Sequence, residues 1–514
     1  MLGRARFGRQ AGRAGPTLFA MSSAPVSESV ASGASVGAEA GLGRKAARGT
    51  AWVFLGYGLG QLMRLVGNVM VTNEVLPETY GIMAIVNTFL LGLTMFSDFG
   101  IGPSIVQNRR GEEPRYLDTL WTVQLVRGGC LWALASLAAW PMAKFYGRPE
   151  LGWVLPVTGV SALLQGVAST KLWTTNRQLA MGRLTLIELS SQALGLTVMV
   201  TWAMLTRSVW SLVAGSLVSA GAKTLFSHVF LGGHSNRCAW DSSAARELVH
   251  FSRWIFVSTI LTFCVMQSDR LMFGKLIPLP LLGVYAIAVM IGTLPQASLN
   301  YVWGQVVFPV LSRFEHSLQS AQLQHAFVSV RLPLVILGGW MVSGLVAGGP
   351  TLIDWLWKDD YQPAGWMIQM LVLGGWFQVL VGASDSALLA RGRTSALAAC
   401  NAVKLAAMLV LIPLGYAWRQ FPGALLAYAI ADIPRYGAAL VCLKSMGLRT
   451  LRSDVGLTLF TALVGGAGAW LTASMQARSI APVWRALAAT LLVTLAWAPL
   501  AWRAIRQKRL QGAA

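Results

Sequence analysis

The chain has 514 residues, 55% of them hydrophobic and only 12% charged, with a mean hydropathy of +0.57. Soluble domains carry about a quarter charged residues, so a soluble enzyme is excluded first, and apolar runs of about 20 residues recurring along the chain indicate one polytopic membrane domain. The net charge of +21, from 41 Lys and Arg against 20 Asp and Glu, would suggest nucleic acid in a soluble protein; here the basic residues gather between apolar runs, where they set orientation, and no nucleic-acid partner is expected.

In chain order, residues 1–50 are rich in Arg, Ala, Gly and Ser and hold no apolar core of signal-peptide length. They read as a disordered, basic cytoplasmic tail. Arg4, Arg6, Arg9 and Arg13 also resemble an organelle transit peptide, and a true start at Met21 is a further reading. Fourteen spans follow, at 51–72, 80–100, 117–140, 151–170, 184–205, 209–230, 254–276, 280–311, 332–356, 364–390, 395–416, 422–443, 455–474 and 482–502. Only Thr206, Arg207 and Ser208 separate the fifth from the sixth, so twelve spans is the fallback. With the N-terminus placed in the cytoplasm, inner segments carry 27 Lys and Arg and outer loops 7. Short loops rich in Lys and Arg stay inside, which assigns both termini to the cytoplasm.

The chain matches itself at an offset of 202 residues: Trp52 with Trp254, Phe54 with Phe256, Met70 with Met272, Gly81 with Gly283, Ala84 with Ala286 and Ile85 with Ile287. Six spans lie between the copies, so they share one orientation in the membrane. The expected fold is all-α integral membrane, with about 14 transmembrane helices in two pseudo-symmetric six-helix lobes around a central cavity. The lobes are 51–231 and 254–443, joined by a cytoplasmic linker at 232–253. Two extra helices (455–502) and a basic cytoplasmic tail (503–514) follow.

With Lys275, at the end of the seventh span, counted with the outer loop, seven basic residues fall inside spans: Arg64, Arg127, Lys223, Arg270, Lys404, Arg435 and Arg485. A central charge facing lipid costs about 2.5–3.5 kcal/mol even on the lenient insertion scale, so most must face protein or water. Arg64, Arg127, Lys404 and Arg435 lie roughly eight residues or more from either end of their spans, about 12 Å deep at 1.5 Å per residue; Arg270 sits nearer an outer end. Embedded acids are Asp98, Glu188, Asp269, Asp385 and Asp432, with Asp118 and Asp354 closer to span ends. Asp432 and Arg435, at i and i+3, can pair with each other. Asp269 and Arg270 are consecutive and diverge by about 100° around their helix. Arg64 and Arg127 have no carboxylate within four residues and are the best candidates to meet an anion. Deep guanidinium forks and an ammonium suit a phosphate or diphosphate. Trp132, Trp303, Trp340 and Trp376 lie deep enough to line a path, whereas Trp153, Trp355, Trp357, Trp366 and Trp418 fit an interfacial belt. Gly56, Gly58, Gly60, Pro295 and Pro434 provide places to bend.

The longest segment between spans, 231–253, is 23 residues, too short for a catalytic domain. No GxxxxGK[ST] phosphate loop or HExxH site occurs, and the five cysteines show no paired or metal-binding spacing. A non-enzyme without cofactor or metal is expected.

SDFGIGPSIVQ (97–107), SDRLMFG (268–274), LGVYAIA (282–288) and LDTLWTVQLVRG (117–128) resemble the oligosaccharide flippase and polysaccharide exporter branch of the multidrug/oligosaccharidyl-lipid/polysaccharide superfamily. The resemblance spans about residues 50–450. It implies an inner-membrane protein that moves a polyprenyl-diphosphate-linked oligosaccharide to the outer leaflet by alternating access through a cationic cavity, often coupled to an ion gradient. Arg64 and Arg270, on the helices that line that cavity in relatives, inherit a diphosphate-binding role; Arg127, Lys404 and Arg435 join them on depth. Asp269 and Asp98 are the candidate ion-coupling carboxylates. The implied partners are lipid-linked oligosaccharide, membrane lipid and the polymerase or export machinery, with the chain itself a monomer. A cation-coupled multidrug exporter of the same fold and a membrane glycan polymerase or ligase are the alternatives.

Overall fold

The computed structural model describes residue 52 and residues 55–511, apart from 99, 109, 179, 308–310 and 312–319. The basic tail at 1–50, Phe54 of the repeat and Arg313 lie outside the described residues, as do the side chains of Trp254 and Phe256. The described residues form helices and contain no strand. That is the backbone solution lipid demands, because a helix satisfies its own N–H and C=O groups.

The first bundle comprises α1 (55–72), α2 (Pro77–Phe96), α3 (Ile101–Gln107), α4 (Pro114–Tyr146), α5 (Leu151–Val167), α6 (Lys171–Arg177), α7 (Met181–Thr206) and α8 (Val209–Val229). Pro77 and Pro114 open α2 and α4, where the missing N–H costs nothing. Gly147 closes α4 in the left-handed region, φ 66°. The fifth and sixth spans do separate: Arg207 turns at φ 49°, and the Ser208 side chain accepts from the Trp210 N–H to cap α8.

The second part begins with α9 (Ser242–Leu276), capped by Asp241, and continues through α10 (Leu279–Gly292), α11 (Leu294–Val302), a π turn at Trp303–Val307, α12 (Ser320–Leu356), α13 (Ala364–Ala390), α14 (Thr394–Ile430), α15 (Asp432–Ser445), α16 (Leu451–Ala477) and α17 (Pro482–Gln511). Among the described residues each expected span therefore falls largely on helix. Among the described residues ten helices are long and apolar enough to cross a membrane, or eleven if α5 and α6, bent by 56°, make one broken span. One of the ten, Thr394–Ser445, holds a non-helical break at Arg419 and Gln420, where the sequence anticipates a turn. Proline marks the other breaks: Pro295 follows Thr293, and Pro434 lies in the first turn of α15.

Several expectations shift. The linker is shorter than 232–253, since α9 starts at Ser242. Residues 230–241 are laced onto the first bundle: Asn236 Oδ1 accepts from Ser169 Oγ (2.8 Å) and from the Thr170 N–H (3.1 Å). Thr119 Oγ1 takes the Asp241 N–H (3.0 Å), and Asp118 takes His234 Nε2 (2.8 Å) and the Arg237 N–H (2.9 Å). Arg331, expected in a loop, lies within α12 at 4% exposure, with Nη1 and Nη2 donating to Asp454 at 2.6 and 3.0 Å. Trp303 and Trp376 are core residues, while Trp132 and Trp340 are partly exposed.

The repeat is visible in the packing. Gly81 of α2 meets the Leu279 carbonyl, and Gly283 of α10 meets the Pro77 carbonyl. Pro77 and Leu279 are themselves 202 residues apart, so the two contacts exchange under a two-fold operation between α2 and α10. They close the bundles together on the face away from the 230–241 linker. On that far face Asn73 Nδ2 also donates to the Leu356 carbonyl (2.8 Å), and Lys275 Nζ to that of Phe145 (2.6 Å).

Candidate functional site

A cavity of about 700 Å³ opens inside the first bundle, on its linker-side half, walled by α4, α5, α6, α7 and α8. Its origin is the α5–α6 bend, which frees the carbonyls of Gln165, Gly166 and Ala168. The Gln124 amide of α4 donates to all three (2.9, 3.2 and 3.0 Å), and this keeps the break tolerable within a membrane. Ser161, Gln165, Asn176 and Ser219 also face the space. Its charged lining is Arg127, Glu188 and Lys223. Lys223 Nζ sits 2.6 Å from Glu188 Oε2, so the pair is neutral, and Arg127 is the cavity's cation without a close ion pair, with Asp98 within electrostatic reach.

Arg127 donates from Nε to Ser97 Oγ (2.9 Å) and from Nη2 to the Thr94 carbonyl (2.7 Å). Both acceptors are neutral. A guanidinium offers five N–H groups in a fixed fork, and Nη1 is left for a ligand. Arg64 on α1 is similar: Nε donates to Gln61 Oε1 at 3.1 Å and Nη1 to Gln192 Oε1 at 3.5 Å. Gln192 lies one turn from Glu188 on α7, so Arg64 adjoins the cavity wall without lining it. Arg270 on α9 donates to Gln267 Oε1 at 3.1 Å. None of these three arginines makes a hydrogen bond or close ion pair to a carboxylate among the described residues, although the Asp98 carboxylate lies within electrostatic reach of Arg127.

Lys404 and Arg435 do not behave as expected. Lys404, 4% exposed, holds Asp432 Oδ1 at 2.7 Å, and Arg435 Nη2 holds Asp385 Oδ2 at 2.8 Å. The anticipated Asp432–Arg435 pair does not form. Asp432 instead receives Gln378 Nε2 (2.8 Å) on its other oxygen. These charges tie α13, α14 and α15 together and are not free for an anion. Depth alone does not reveal these pairings, because the partners lie 28 and 50 residues away, beyond any helical period.

The two carboxylates also divide. Asp98 is exposed, and its Oδ1 accepts from the Gly100 N–H at 2.9 Å in the turn ahead of α3. It forms the turn there and lies within electrostatic reach of Arg127. Asp269, 2% exposed, accepts from the Tyr285 hydroxyl at 2.5 Å, while its Oδ1 has no hydrogen-bond partner.

The sequence reading missed the Lys223–Glu188 pair as a feature of a cavity, and the lacing of the linker. The available signal for the latter was Asp118, Thr119 and Thr122 on neighbouring positions of α4. Outside the membrane-spanning segments, hydrogen bonds from Ser243, then from Arg110, hold the Asp241 carboxyl down at about 2.

Residues 75–362 match the sequence model of a family described as polysaccharide biosynthesis protein. The teichuronic acid biosynthesis protein TuaB of Bacillus subtilis (strain 168) is 22% identical over 297 residues, covering 58% of this chain and 61% of that one. The succinoglycan biosynthesis transport protein ExoT of Rhizobium meliloti (strain 1021) is 24% identical over 281 residues, 54% of this chain and 56% of that one. The chain thus spans about six-tenths of these relatives' length. In fold it is similar to the lipid II flippase MurJ in an inward closed conformation, with TM-score 0.67, 12% identity and coverage of 89% of this chain and 98% of that one. A multidrug MATE family transporter of the MOP superfamily follows at TM-score 0.60, 11% identity and coverage of 77% and 95%. The match of residues 75–362, more than half of the chain, establishes that the chain belongs to the polysaccharide biosynthesis protein family.

Proposed function

We propose that the chain is a flippase or exporter that carries a polyprenyl-diphosphate-linked oligosaccharide across the inner membrane for surface polysaccharide assembly. Fourteen passes, both termini in the cytoplasm, bundles at 51–231 and 254–443 and alternating access between them complete the reading. The protein acts as a carrier and not as an enzyme, and it hands its cargo to a polymerase or export machinery. The observation that carries this is the trio Arg64, Arg127 and Arg270. Each falls inside an expected span and hydrogen-bonds to neutral oxygens without a close ion pair, which leaves it able to meet an anion. Asp269, buried with one oxygen unpartnered, is the coupling carboxylate. A carrier of organic cations would want a free acid in the cavity, yet Glu188 is held by Lys223.

The test is complementation of a deletion strain. A charge-assisted hydrogen bond is worth about 1.5–3 kcal/mol, so Arg64→Ala and Arg127→Ala are expected to cut surface polysaccharide roughly tenfold or more, with membrane levels of protein unchanged. Full polymer output from both variants refutes the reading.

A further inference from the structure

Arg127 borders two spaces of opposite character. On one side lies the 700 Å³ polar cavity. On the other is a 300 Å³ pocket lined by Val123, Val126, Cys130, Leu131, Leu134 and Trp240, with Ser97 and Arg127 at its edge. Arg127 and Leu131 belong to both walls. The polar side holds unused hydrogen-bonding capacity: the side chains of Ser161, Gln165, Asn176 and Ser219 line it and make no hydrogen bond among the described residues. Gln165 is exposed and Ser161, Asn176 and Ser219 are partly exposed, so these groups are open to water or to a ligand rich in hydroxyls. At about 30 Å³ per water the space holds roughly twenty, and it falls in the size range of small-molecule sites. The apolar side is open, with Val126 and Leu134 at least half exposed.

Polar cavity, guanidinium without a close ion pair and apolar pocket follow one another in the order of sugar, diphosphate and isoprenyl chain. We infer that the first bundle holds a bipartite site for a glycosyl diphosphate lipid, centred on Arg127. The sugar next to the diphosphate occupies the cavity, and the first isoprene units occupy the Val126–Leu134 pocket. This rests on the flippase reading and adds to it where the cargo's headgroup sits: inside one bundle, against α4, and not only between the two.

Three probes separate the halves: glucosyl diphosphate farnesyl, farnesyl diphosphate and glucosyl diphosphate capped with a methyl group. Binding to the full chain in lipid nanodiscs is measured by equilibrium dialysis. Arg127→Met should weaken all three, by about tenfold or more. Ser161→Trp, which fills the cavity, should weaken the two sugar-bearing probes and spare farnesyl diphosphate. Cys130→Trp, which fills the pocket, should weaken the two farnesyl probes and spare the capped sugar. Should a tryptophan variant lose its folded chromatographic peak, Ala162→Phe and Leu134→Trp test the same walls. The site is overturned if Arg127→Met leaves the three affinities unchanged, if the wall variants weaken all probes alike, or if they weaken none. Such a result leaves the flippase reading standing, because that reading is judged by polymer output in the Arg64→Ala and Arg127→Ala strains.

Discussion

The contact between Gly81 and Gly283 sets how firmly the two bundles are closed on the far face. A Cβ at Gly283 would fall inside 3.0 Å of the Pro77 carbonyl, and one at Gly81 inside 3.0 Å of the Leu279 carbonyl. The opposing atoms are backbone, so no rotamer change relieves the clash and α2 must separate from α10. Overpacking of this kind costs about 1–3 kcal/mol. The cost falls only on states in which the bundles touch there, so it shifts the closed-to-open ratio by roughly 5- to 150-fold. Proximity can be read by oxidative cross-linking of Asn73→Cys with Lys358→Cys. Asn73 Oδ1 accepts from the Lys358 N–H at 3.1 Å across this face, and the five native cysteines are free and replaceable. Gly283→Ala and Gly81→Ala should each slow cross-linking by at least several-fold. Gly375→Ala, with nothing within 4 Å of the added Cβ, should leave it unchanged. Wild-type cross-linking in both α2 and α10 variants would show that this contact does not govern closure.

Three further outcomes follow from the charges. Arg331→Met leaves Asp454 buried and unpaired, which should cost about 3–5 kcal/mol in detergent unfolding, and Arg331→Met with Asp454→Leu should recover most of it. Asp98→Ala should lose about 0.5–2 kcal/mol, the range for a lost side-chain cap, with polymer output retained, and Asp98→Asn should be neutral; loss of transport in both would mark Asp98 as a coupling group. Asp241 has a folded pKa depressed to about 2 from the usual carboxylate value of about 3.9. Its contribution is therefore present above that value and lost as pH falls toward about 2. Amide protection over residues 237–243, taken relative to the intrinsic exchange rate at each pH, should fall through that window, and a flat protection profile would refute the assignment.

Elements that depend on periodicity and punctuation were readable from the chain alone. Span positions follow apolar runs, the break near Pro295 follows from a missing N–H, and the 202-residue repeat anticipates that Gly81 and Gly283 are related. What was not readable depends on partners remote in sequence. Thr394–Ser445 shows nothing locally to say that Lys404 will find Asp432 or that Arg435 will find Asp385. The cavity was hidden as well: it arises from a bend between α5 and α6 whose freed carbonyls are satisfied by Gln124, some forty residues upstream.

This contrast gives a criterion for embedded charge. Every charge in an apolar helix must be compensated, and the compensation is either built in or brought by a ligand. Lys404, Arg435 and Arg331 have built-in carboxylates at 2.6–2.8 Å, so they hold helices together and their removal should be read in stability. Arg64, Arg127 and Arg270 hydrogen-bond to oxygens of glutamine, serine and backbone, and the nearby Asp98 makes no close ion pair with Arg127. Neutral acceptors orient a guanidinium without cancelling its charge, and a charge oriented but not cancelled is suited to an anion that arrives and departs. If that sorting is right, replacing Arg127 should change transport far more than unfolding, and replacing Arg331 should do the reverse; one variant series, measured by polymer output and by unfolding midpoint, decides it.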